Sequence, residues 1–259
     1  MLRSLTIVAL VAYASAQSLS NECQSALLAI AADKDASACL SPGSLLPIAT
    51  GSSNSSIVPT VNTWLTSLCS AAPCSNATIA AVVNNVTAGC SAEFGNSSSS
   101  SNAAVTSIIQ QYYPTVRQVV CLKDGDTNCI TQTLTNIEQA TGTLSISNIF
   151  SIIANPPANI PSNISCTNCV KAAYNIIRKD FSSLVSDSDS TLQQQCGSSF
   201  TDGATPSGIV ESAATSGAAQ TTATGNTALG SVTFLSRGVA TGAAASALVV
   251  ISTALVFLA

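Results

Sequence analysis

The chain has 259 residues, a formal net charge of −4 and no histidine; 46% of its residues are apolar and only 8% are charged. Without histidine, the Ser-His-Asp and Cys-His routes to an activated nucleophile are closed, as are imidazole-ligated zinc and haem sites. No basic stripe, GxSxG elbow or phosphate-binding glycine loop occurs, which argues against nucleic acid, anionic lipid surfaces and the common hydrolase and nucleotide chemistries.

The first residues, MLRSLTIVALVAYASAQ, place Arg3 before an apolar run from Leu5 to Tyr13 and end on Ala14, Ser15 and Ala16. That three-part layout predicts a secretory signal peptide over 1–16, cleaved after Ala16. Next, LSNECQSALLAIAADK predicts a helix with Ser20 as its cap. Val58, Val61, Leu65 and Leu68 recur at three and four, with Trp64 beside them and Pro59 suited to a first turn. Ile79, Val82, Val83 and Val86 give a second stripe. GNSSSSSN reads as a flexible polar linker over 95–104. Ile130, Leu134 and Ile137 predict a helix capped by Asn128, and TLSIS a loop entering a short helix. NPPANIP forces an extended connection. Val170, Tyr174, Ile177, Phe181 and Leu184 predict one helix of about four turns.

Ten cysteines lie between these ends: Cys23, Cys39, Cys69, Cys74, Cys90, Cys121, Cys129, Cys166, Cys169 and Cys196. An even count in a secreted chain predicts a disulfide framework, although about 945 pairings are open. The cysteines fall into two sets of five, each with two early members, a close pair and a final one followed by Phe94 or Phe200. This predicts a diverged duplication, with one helical repeat over 17–94 and another over 105–203. Since five is odd, full pairing requires at least one bridge between the sets. Cys121–Cys129, closing LKDGDTN, is the expected local pair.

Residues 204–237 are rich in Ser, Thr, Ala and Gly without periodicity, which predicts a disordered stalk open to O-glycosylation. Acceptor sequons begin at Asn54, Asn76, Asn85, Asn96 and Asn163 and should mark exposed surface. Residues 238–259 are apolar or small, with no charge after Arg237. Small residues at Asn226-Thr227-Ala228, a spacer to Arg237 and this apolar run predict a glycosylphosphatidylinositol (GPI) attachment signal, with Asn226 carrying the anchor and Gly225, Gly230 and Ser231 as rival sites. Removing both ends takes away Arg3 and Arg237, which leaves 6 cations against 12 carboxylates, near −6.

Two motifs invite chemistry and fall short of it. DGDTN sets Asp124, Asp126 and Asn128 at calcium-loop spacing, but Cys129 and Thr135 stand where Gly and Glu are needed; a turn and a helix cap account for them. Cys166-Thr-Asn-Cys169 resembles a redox pair, yet the matching place in the first set is Cys69-x4-Cys74, which a structural framework tolerates. Glu138 and Asp180 are possible acid–base carboxylates that nothing in the sequence brings together.

With CLSPGSLLP, a PC pair, VRQVVCLKD, a CTNC pair and this tail, the chain resembles fungal cysteine-rich, GPI-anchored cell-surface proteins of uncharacterised function. The resemblance spans residues 19–203, rests on cysteine spacing and brings no active site or cofactor. The eight-cysteine fungal modules that bind haem have closely packed cysteines and a haem-contacting Asp without counterpart here. The expectation is an all-α, disulfide-stapled, non-enzymatic glycoprotein on the outer face of the plasma membrane or in the cell wall. Its partners would be the membrane through the lipid, and wall polysaccharide or other surface proteins. The alternative is a helical module binding a lipid or other small apolar ligand.

Overall fold

The computed structural model of the chain describes residues 20–50, 54–92, 99–154, 161–185 and 188–215. The signal segment, Asn96, Asn226, residues 216–237 and the apolar tail lie outside them. The described residues are mostly helical, with three short strands.

Helix α1 (Asn21–Ala32) starts where the Ser20 hydroxyl accepts from the Cys23 amide at 3.2 Å. It stops at Asp33, whose extended backbone ends one helix and whose carboxylate caps α2 (Lys34–Leu40) by accepting from the Ala36 amide. A 3-10 turn (Pro42–Leu45) and α3 (Leu46–Thr50) lead to α4 (Val58–Ser70). The predicted stripe of α4 is buried, and Trp64 at its centre donates from its indole nitrogen to the Leu40 carbonyl at 2.8 Å. Helix α5 (Asn76–Gly89) is capped by Ser75 and lies so close to α1 that a Cβ on Gly89 would sit 2.2 Å from that of Ala26. Only glycine permits that approach.

Helix α6 runs from Ser99 to Val120, so the second half of the expected linker is helical. Val105, Ile109 and Tyr113 pack against Cys39, Cys74, Ile79 and Val83, and a helix seated on such a face extends into polar flanks residue by residue. After it come strands β1 (Leu122–Asp124) and β2 (Thr127–Asn128), then helices α7 (Cys129–Thr141), α8 (Ile146–Ala154), α9 (Ser162–Ser165) and α10 (Asn168–Asp180). The four-turn helix expected through Leu184 breaks at Phe181, whose backbone is non-helical and whose ring lies 4.2 Å from that of Tyr112 on α6. A short α11 (Ser182–Val185), α12 (Asp189–Cys196), a 3-10 turn (Ser198–Thr201) and strand β3 (Ile209–Glu211) complete the order. The sheet runs β2-β1-β3, antiparallel throughout, with Lys123 opposite both Asn128 and Val210.

Strand β3 corrects the stalk boundary. Residues 204–215, expected to be structureless, are the edge of the body. Composition misses this because the strand is three residues long and only Ile209 of it is buried.

All ten cysteines are paired: Cys23–Cys90, Cys39–Cys74, Cys69–Cys121, Cys129–Cys169 and Cys166–Cys196. Cys69–Cys121 is the one bridge between the two sets of five, as parity demands. The expected Cys121–Cys129 bond is absent, and strand geometry gives the reason. Continuing the Lys123–Asn128 register sets Cys129 opposite Leu122, and adjacent strand residues face opposite ways. Cys129 therefore joins Leu122 in one apolar cluster, while Cys121 faces the main core with Cys69. The two sets share only a second-to-fourth bridge, Cys39–Cys74 and Cys129–Cys169.

The bridges divide the chain differently from the sequence spacing. Three interlocking bonds close residues 23–121, and two close residues 129–196. These are the first and second cystine blocks, and the β1–β2 hairpin is the single chain segment between them. The main apolar core spans both: Val58, Val61, Trp64, Leu65 and Leu68 meet Ile130, Leu134, Ile137, Leu144 and Ile164.

Candidate functional site

The most elaborate polar construction among the described residues is the place where the C-terminal segment crosses this hairpin. Its base is Asn128, 7% exposed. The amide oxygen accepts from the Ile130 and Thr131 amides at 2.8 and 3.3 Å, and the amide nitrogen donates to the Val120 carbonyl at 2.8 Å. One side chain thus starts α7 and ties it to the end of α6. Gly125, at φ +58°, makes the tight turn between β1 and β2.

Across this base lies the C-terminal segment. The Gly125 amide donates to the Gly208 carbonyl at 3.2 Å, and β3 pairs with β1. Beyond the strand, the Ser212 amide and hydroxyl both donate to the Cys121 carbonyl, at 3.0 and 2.7 Å. The Ala214 amide donates to the Cys69 carbonyl at 2.9 Å. The segment is therefore held by the backbones of both halves of the inter-set disulfide. Beside it Arg117, 6% exposed, donates to the Leu68 and Ala71 carbonyls at the end of α4. A cation at a helix C-terminus offsets the partial negative charge of its unpaired carbonyls.

The other end of the segment is held by the second block. Lys171 pairs with Asp202 at 3.0 Å, the Asn175 side chain donates to the Ala204 carbonyl at 3.0 Å, and Arg178 donates to the Thr201 carbonyl. The Ala204 amide, then Lys171, hold the Asp202 carboxyl below its ordinary value of 3.8. Arg178 also pairs with Asp189 at 2.8 Å.

The residues singled out from sequence fall as follows. Asn128 is a turn-and-cap residue, and Asp124 accepts from Gln132 at 3.3 Å. Cys166 and Cys169 bond to Cys196 and Cys129, not to each other. Glu138 accepts from the Leu144 amide just beyond its own helix, and Asp180 accepts from the Thr115 hydroxyl on α6, so each carboxylate serves a structural join. Asn54, Asn76, Asn85 and Asn163 are exposed. Among the described residues no group of three or more Cys, Asp or Glu is placed to hold a metal, and no helix is long and apolar enough to cross a membrane. Compared with protein families, curated proteins and solved structures, the chain matches none. Sequence reasoning missed Ser212, Ala214 and Arg117. The one available signal was Ile209-Val210, a lone apolar pair inside a polar stretch.

Proposed function

We propose that the chain is a secreted glycoprotein of a fungal cell surface, GPI-anchored through Asn226, with a structural or interaction role and no catalysis. The observation that carries this reading is the complete pairing of ten cysteines, a framework that forms and persists in an oxidising compartment. The small-residue site and apolar run of 226–259 support the lipid anchor, and exposed sequon asparagines support glycosylation. On this reading the folded body sits above the membrane or wall. A duplicated five-cysteine unit remains part of the proposal, supported by the shared second-to-fourth bridge. The test is treatment of intact cells with a phosphatidylinositol-specific phospholipase. The expected result is release of protein lacking residues 238–259; protein that stays membrane-bound and retains those residues overturns the anchor.

A further inference from the structure

We propose that residues 206–214 are a release strap. Tension carried by the chain beyond Thr215 peels them from the β1–β2 hairpin and uncovers the Cys129–Cys169 bridge, while the shared apolar core keeps the two cystine blocks together.

No bridge crosses residues 122–128, while the chain on either side is closed by interlocking disulfides. The strap lies across that one link and touches both blocks. Its approach is held by Lys171 and Asn175 of the second block, its middle pairs with β1, and its end rests on the Cys121 and Cys69 carbonyls of the first. Ile209 supplies the cover. It packs with Leu122, Cys129, Cys169 and Ala172, and Cys129 and Cys169 are 3% and 2% exposed beneath it. Cys166 and Cys196 are already partly exposed and lie in another cluster.

The order of bond breaking follows from the geometry. A load entering at Thr215 meets the Ala214–Cys69 bond first, then Ser212–Cys121, then the β1–β3 pairs. Bonds loaded one after another yield singly, whereas each block is cross-linked. While the strap holds, load passes straight into the first block and bypasses the second. Once it peels, the nine residues 206–214 are freed, roughly 30 Å of chain at full extension.

The source of tension rests on the tethered reading above, but the strap is testable without the anchor. The purified chain from residue 17 to residue 226, with a handle at each end, is stretched in an optical trap. The expected trace has an early, reversible lengthening of roughly 30 Å at a force below that which unfolds the body. Ile209→Ser moves this step to lower force. In parallel, the unloaded protein is exposed to a mild thiol reductant and its bridges are mapped by mass spectrometry. Exchange requires access to sulfur, so Ile209→Ser should speed opening of Cys129–Cys169 by about tenfold and leave Cys166–Cys196 unchanged. Unfolding in one step with no early release overturns the proposal, as does equal protection of Cys129–Cys169 in both proteins. If Ile209→Ser does not fold, the wild-type trace alone decides. Resistance to the phospholipase would remove the anchor and leave the trace as predicted.

Discussion

The two cystine blocks stabilise themselves by different means. The first is held by apolar packing: Val61, Trp64, Leu65, Leu68 and Cys121 are among the most deeply buried side chains, and three bridges interlock around them. The second has two bridges and relies more on polar ties. Thr133, Ser145, Ser165 and Asn175 are buried there, and both ion pairs found among the described residues, Lys171–Asp202 and Arg178–Asp189, are anchored on its helix α10. Burying a large apolar side chain contributes about 1.5–3 kcal/mol, whereas a neutral hydrogen bond contributes about 0.5–1.5 kcal/mol net. The contrast teaches that cysteine counting hides an asymmetry: five and five in sequence become six and four in space, while the buried aliphatic residues of the main core come equally from both blocks.

The largest expected effect tests whether that core holds the two blocks as one body. Trp64→Ala should cost about 3–5 kcal/mol from lost contacts and the cavity left behind. Because the cluster around Trp64 includes α7, denaturant unfolding should remain a single transition at a lower midpoint. Two separated transitions would break the comparison, since the blocks would then be independent bodies.

A second experiment compares bridges. Replacing Cys69 and Cys121 together by Ser should cost about 2–4 kcal/mol. Chain entropy makes this about 0.5 kcal/mol more than replacing Cys166 and Cys196, since the loops span separations of 52 and 30 residues. Urea titration of the two double variants gives the difference, and a larger loss at Cys166–Cys196 would reverse the ranking of the blocks.

At the β1–β2 hairpin, Asn128→Ala should cost about 1–2 kcal/mol by removing a cap and leaving the Val120 carbonyl without its donor. Amide exchange should rise first at Ile130 and Thr131. If it rises equally throughout α10, Asn128 is not a local join.

The smallest effect is a pH dependence at the entry to the strap. Asp202 has a depressed carboxyl pKa in the fold, so its charged form is the bound one. Its stabilisation is complete above the ordinary value and drains as pH falls through the carboxylate range, below about pH 4. Exchange at the Ala204 amide should accelerate on acidification once the intrinsic pH dependence of exchange is removed, and Asp202→Asn should abolish that change. An unaltered profile in the variant would assign the acid response to another group.

Much of the local structure was legible in the residues. Ser20 and Asn128 act as caps because a short polar side chain reaches amides within one turn, which spacing alone reveals. The stripes of α4, α5 and α7 were legible for the same reason. The helix through Phe181 was misjudged because Val170, Tyr174 and Ile177 continue the period, while the ring of Phe181 finds Tyr112 on another helix. The candidate site was least legible. Ser212 meets Cys121 across 91 residues of sequence, through a backbone amide that nearly every residue possesses and a hydroxyl common throughout this stretch.

By itself, then, the sequence determined that this chain is helical, that its cysteines must pair across the two sets, and where several helices begin. Those properties depend on side-chain chemistry within a few residues or on simple parity. The tertiary structure alone decided that Cys121 turns toward Cys69 rather than Cys129, that the covalent division falls at residues 122–128, and that residues 204–215 belong to the folded body. Each of these depends on which face of a strand or helix meets which neighbour, and a single-residue alternation reverses that face without altering composition or spacing.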